Sequence, residues 1–185
     1  MQIETKNRYS PVAQSLHWLS ALFVGVAWTL GLLGDELPKG PQREMGEFVH
    51  IVTGELVIAL LFLRLIWRFV DPPPAAEATA MGRWGDLAAK LAHVALYLLL
   101  LTVPIIGIVT LFAGGESLSV FGLFEIASPW PKDRNFKHFM EEIHEVTAHG
   151  LIALVGLHAV AAIIHHHVFK DRTLKRMLPN AMMGE

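Results

Sequence analysis

Apolar residues in this chain fall into four long blocks separated by short polar stretches. The blocks cover residues 15–34, 48–70, 87–112 and 143–168, and the fourth reads "IHEVTAHGLIALVGLHAVAAIIHHHV". A bilayer-spanning helix needs about 20 mostly apolar residues, so each block is long enough to span. Pro104 lies inside the third block, where neighbouring helices can satisfy the carbonyl it frees. The pattern predicts an all-α integral membrane four-helix bundle, occupying residues 1–185 as a single transmembrane domain. The 113–140 segment between the third and fourth spans is longer than a plain connection requires, which favours a functional lid.

Composition sharpens this reading. Of 185 residues, 53% are hydrophobic and only 17% charged, against about 25% charged in an ordinary soluble domain. Four apolar blocks would leave a soluble bundle with too little polar surface. The partner of the helical faces is therefore the lipid bilayer. The net charge of −2 suggests no nucleic-acid partner. With no cysteine, iron–sulfur clusters, c-type haem attachment and thiolate zinc sites are excluded. The N-terminus has the polar look of a segment that is not cleaved.

Lys and Arg set the orientation. Lys6, Arg8, Arg64, Arg68, Arg83, Lys90, Lys170, Arg172, Lys175 and Arg176 fall on one side, and Lys39, Arg43, Lys132, Arg134 and Lys137 on the other. Ten against five predicts both termini in the cytoplasm. The linker "DPPPAAEATA" is then cytoplasmic and, being Pro-rich, extended.

Ten histidines are many for this length. By depth, His50 and His144 form an outer pair, and His17 and His158 an inner pair. His144 and His158 are fourteen residues apart, which turns the helix by only about 40° and separates them by about 21 Å. They share a face at two depths, and His50 and Arg64 repeat the same spacing on the second span. Each pair joins two helices, as a ligand held inside a bundle requires. Residues three and four after each of these histidines are small: Ser20 and Ala21, Thr53 and Gly54, Thr147 and Ala148, Ala161 and Ala162. Small residues leave room for a flat macrocycle, and they also serve close helix packing in membranes.

Two histidines per level, with no thiolate or carboxylate at the same depth, is a poor zinc or copper set and the right set for two axial imidazoles on a haem iron. Bis-histidine ligation predicts electron transfer, not oxygen binding. Arg64 and Arg68 fall on the His50 face, and an inward cation suits a haem propionate; the alternative is an arginine snorkelling at the membrane edge. Glu55, an intramembrane acid off the ligand stripe, either relays protons or bonds a neighbouring helix.

At "SLHWLSAL", "HIVTGELVIALLFLRLIWR", "LYLLLLTVPIIGIV" and "IHEVTAHGLIALVGLHAVAAIIHHHVFKDRTLKRMLP" the chain resembles the bacterial cytochrome b561 family, of the superoxide oxidase type. The resemblance covers nearly the whole chain. It implies a bacterial inner-membrane protein with two haem b held by His17, His50, His144 and His158. It also implies electron exchange with the quinone pool, with superoxide oxidised outside and ubiquinone reduced, that is, a superoxide:ubiquinone oxidoreductase. Lys132, Arg134 and Lys137 could steer the superoxide anion, although the external segments are acidic in sum. A quinone site could involve His165, His93 and Ser15, with Trp18 beside them. His165, His166 and His167 point about 100° apart and cannot converge on one metal. The alternative function is a haem-bearing anchor for a periplasmic redox partner; a histidine-rich metal transporter is a third class.

Overall fold

The computed structural model describes residues 7–34, 36–75 and 82–179. Lys6 and the second half of the linker, residues 76–80, lie outside the described residues.

Four helices form the body: α1 (Pro11–Leu33), α2 (Pro41–Val70), α3 (Gly82–Ala113) and α4 (Arg134–His167). Each is long and apolar enough to cross a membrane. α1 packs mainly on α2 and α3 mainly on α4, with α2 against α3 joining the two hairpins. The helices begin where local chemistry starts them, not where the apolar blocks begin. α1 and α2 open with Pro11 and Pro41, whose missing N–H costs nothing in the first turn. α4 starts at Arg134, well before residue 143, because Asp133 accepts from the Asn135 and Phe136 amides at 2.9 and 3.0 Å.

The segment between α3 and α4 is not all loop. Strands β1 (Leu118–Val120) and β2 (Phe124–Ile126) pair antiparallel, with Leu118 opposite Ile126 and Val120 opposite Phe124. The turn is made by Phe121 and Gly122, both at positive φ, the backbone that type I′ hairpin turns require.

The buried core is a narrow plug at mid-bundle: Val24, Val57, Leu61, Leu100, Val103 and Leu151. Leu151 is seven residues from His144 and seven from His158, so the plug separates the two histidine levels. Around it, large apolar side chains such as Leu22, Ile66 and Leu157 face outward, as lipid-facing helices require.

The segment before α1, the segment after α2 and the segment after α4 meet at one end of the bundle. The Tyr9 amide donates to Arg176 O at 3.2 Å, and Gln14 Nε2 donates to Tyr9 O and Arg176 O. The buried Arg176 guanidinium donates to Asn7 O and Ala75 O, which ties in the chain leaving α2. These bonds pair backbone carbonyls that no helix or strand satisfies.

Candidate functional site

Helix packing brings the four paired histidines together as two cross-helix pairs. His50 on α2 and His144 on α4 have ring centres 6.0 Å apart, and His17 on α1 and His158 on α4 have theirs 6.3 Å apart. With a metal–imidazole bond of about 2 Å and a ring centre about 1.1 Å behind the nitrogen, two trans imidazoles on one metal place their centres roughly 6 Å apart. Both pairs have the spacing at which two imidazoles would bind one metal ion.

At the outer level the rings are also oriented. His50 Nδ1 lies 2.8 Å from Ala27 O on α1, and His144 Nδ1 lies 3.0 Å from Val103 O on α3. A carbonyl only accepts, so each Nδ1 carries the proton and each Nε2 keeps its lone pair for a metal. One turn after each carbonyl stands a glycine. A Cβ on Gly31 would lie 3.4 Å from His50 Cε1, and one on Gly107 only 3.0 Å from His144 Cε1. These glycines let the imidazoles reach the neighbouring helices' carbonyls. Sequence reasoning missed both, although a glycine inside each apolar block was the visible sign.

The outer pair opens on a cavity of about 550 Å³, within the range of cofactor sites. Gly31, Gly54, Gly107 and Ala148 line its interior, so two of the four small residues expected at this level do make room. Thr53 and Thr147 instead turn their hydroxyls onto the backbone one turn back. Glu47, Glu116, Glu141, Glu145 and Lys137 line the cavity as well. Lys137 Nζ is 2.8 Å from Glu116 Oε1, which neutralises one of the three cations expected to steer an anion. Lys132, packed over Gly115, and Arg134 are exposed.

The inner level differs. His93 on α3 brings its ring centre 5.4 Å from that of His158, so three imidazoles meet here. Its Nδ1 lies 2.7 Å from Ala89 O on its own helix. Arg64 is half-buried, with Nη2 3.4 Å from His17 Nδ1 and its guanidinium 5.4 Å from the Tyr97 ring centre. Arg64 therefore faces inward as expected. Arg68 does not: it is exposed and reaches only the Tyr97 hydroxyl, at 3.5 Å. Helical angle alone put it on the His50 face, but at the helix end its long side chain extends outward. Trp18 stacks edge-on against His17 at 5.2 Å and donates its indole N–H to Met177 O. Ser15 is exposed.

His165 is engaged elsewhere. Its Nδ1 donates to Asp171 Oδ2 at 2.5 Å, closing the C-terminal turn onto the end of α4. Burial would raise the Asp171 carboxyl, but the bonds from His165 and the Thr173 amide outweigh it and hold the group below the usual carboxylate range. His166 and His167 stack on one another, ring centres 4.7 Å apart.

Glu55 is 9% exposed and accepts the Phe121 amide at 2.8 Å. Its partner is the turn of the β-hairpin, not a neighbouring helix. Phe121 sits at φ 49°, a conformation costing a side-chain-bearing residue about 1–2 kcal/mol. The hydrogen bond offsets part of that cost, since an intramolecular hydrogen bond contributes about 0.5–1.5 kcal/mol. Glu55→Leu is expected to release the hairpin, read as faster amide exchange across residues 118–126 with the helices unchanged.

The family model for prokaryotic cytochrome b561 matches residues 8–180. Similar proteins include cytochrome b561 homolog 1 of Escherichia coli strain K12, 34% identical over 181 residues that cover 94% of this chain and 98% of that one. The probable superoxide oxidase CybB of Yersinia pestis is 33% identical over 178 residues, 93% of this chain and 96% of that one. Cytochrome b562 of Cereibacter sphaeroides is 29% identical over 175 residues, 92% and 94%.

Proposed function

Because the chain belongs to the prokaryotic cytochrome b561 family of haem b membrane electron-transfer proteins, we propose that it carries electrons across the bilayer between an external donor and the quinone pool. It is a multi-pass protein of the bacterial inner membrane. The observation that carries the reading is the pair of cross-helix imidazole contacts, 6.0 and 6.3 Å between ring centres, on either side of an apolar plug.

In this reading His50 and His144 hold an outer haem b, and His17 and His158 an inner one. Bound haem supplies a reversible one-electron couple. The Nδ1–H bonds to Ala27 O and Val103 O fix the tautomer and raise the basicity of the outer ligands. Two imidazoles on each iron would favour electron transfer over oxygen binding. Arg64 is the cation placed to meet a propionate at the inner level. The Lys and Arg asymmetry supports termini, and hence an inner pair, on the cytoplasmic side. His93, next to His158 yet exposed on α3, is placed to meet a quinone arriving from the lipid.

Superoxide is the donor favoured by the likeness to the probable superoxide oxidase of Yersinia pestis. Two superoxide anions each give up one electron and leave as O₂. Ubiquinone takes up the two electrons and two protons and leaves as ubiquinol. The acidic residues of the outer cavity, Glu47, Glu116, Glu141 and Glu145, favour a second reading, an anchor that accepts electrons from a positively charged periplasmic redox protein. Purified protein supplied with a superoxide source and a short-chain ubiquinone separates the two. Quinol formation that outruns spontaneous dismutation is expected for the oxidase. No quinol above background would leave the anchor.

A further inference from the structure

The β-hairpin is amphipathic, and its two strands meet different surroundings. Cross-strand partners lie on the same face of a hairpin. Leu118, Val120, Phe124 and Ile126 therefore share one face, and Ser119 and Glu125 the other. On the polar side Glu125 accepts from the Ser117 hydroxyl at 2.9 Å. On the apolar side the two strands meet different neighbours. Leu118 of β1 is 7% exposed and lines the outer cavity. Phe124 and Ile126 of β2 are 58% and 46% exposed, and Leu123 at the turn is 81% exposed.

The hairpin's height along the bundle is set by two contacts to α2. A Cβ on Gly122 would lie 3.1 Å from Phe48 Cζ, and the Phe121 amide is held by Glu55. Phe48 begins the apolar block of α2 and is itself exposed. The apolar edge of β2 is thus continuous with the lipid-facing surface of the bundle, at its outer rim. Trp130, a residue type favoured at membrane interfaces, follows β2 by four residues and packs on Phe112 with ring centres 6.1 Å apart. Among the described residues the outer edge of β2 has no strand partner, and its backbone groups need water, which favours the headgroup region with the side chains dipping inward.

We propose that the 118–126 hairpin is an interfacial membrane anchor, whose β1 roofs the outer histidine cavity while Leu123, Phe124 and Ile126 insert among the acyl chains of the adjacent leaflet. Burying these side chains in lipid holds the roof in place from the side that the bundle does not reach. Glu55 fixes the turn and the leaflet fixes the edge. The proposal depends on the membrane topology and not on the identity of the donor.

The chain has no cysteine, so single labels are clean. Nitroxides placed at Leu123→Cys and Phe124→Cys in the full chain, reconstituted in phosphatidylcholine–phosphatidylglycerol vesicles, report collisions with oxygen and with a water-soluble nickel chelate. Leu22→Cys is the lipid reference and Lys132→Cys the water reference. The hairpin sites are expected to fall between the two references, with an oxygen-to-nickel ratio several-fold above that of Lys132 and below that of the mid-span Leu22 site. A ratio equal to that of Lys132 would overturn the proposal. Shielding from both reagents would also overturn it, because a protein surface and not lipid would then cover β2. All four side chains are exposed, and an unchanged haem spectrum and circular dichroism verify the fold of each variant.

Discussion

Replacing His144 by alanine is expected to halve the haem content of the purified protein. The rings of His144 and His50 face each other at ligand spacing in the outer cavity, which His149 also lines. Losing even the outer-shell partner of a metal ligand weakens binding about 10–100-fold, and losing the ligand itself costs more. His50 alone is not expected to retain that haem through detergent extraction. The inner haem is expected to stay, because the plug around Leu151 separates the two levels. His158→Ala should do the converse, and His93→Ala should keep both haems. That last variant matters because His93 lies as near to His158 as His17 does. Quantified haem per chain and the reduced-minus-oxidised spectrum of each variant check the pairing.

Gly107→Val should mimic His144→Ala without touching a histidine. A Cβ at Gly107 already meets His144 Cε1 at 3.0 Å, tighter than carbon atoms normally approach, and two further methyl groups cannot fit. The ring must swing away, which breaks its bond to Val103 O and misdirects Nε2. Outer haem affinity is expected to fall by at least about tenfold, on the scale of lost outer-shell bonds. The helix itself should not suffer, since glycine is the poorer helix former by a few tenths to about 1 kcal/mol. Loss of haem with an undiminished helical signal is therefore the signature. Gly31→Val should act in the same direction but less, from its longer 3.4 Å contact, and Gly25→Ala should be silent because nothing lies within 4 Å. Haem titration of the apoprotein measures the series.

What could be read from the chain alone was whatever depends on helical repeat and depth. The four spans follow from apolar block length. The two histidine levels follow from the fourteen-residue spacing of His144 and His158, and the same arithmetic put Arg64 inward. It failed for Arg68, because angle fixes where a side chain starts and not where four rotatable bonds carry it. Contacts made between distant segments were not legible. Glu55 was visible as a costly intramembrane acid, but its partner, the Phe121 amide, is 66 residues away, in a left-handed conformation that a phenylalanine does not announce. The hairpin itself hides in "SVFGLFEI", too short a run to declare its period. Gly31 and Gly107 were in plain sight, yet their meaning needs the neighbouring helix's imidazole in place. The same holds for His93, which sequence placed in the third span and packing placed beside His158.

The central claim is two bis-imidazole haems in one chain. Its most direct test is a pyridine haemochrome assay on the detergent-purified protein, set against chain concentration, together with the reduced-minus-oxidised spectrum with and without carbon monoxide. The account predicts two b-type haems per chain, both six-coordinate, with a reduced spectrum that carbon monoxide leaves unchanged. A single haem per chain, no b-type band, or a reduced form that binds carbon monoxide would contradict it.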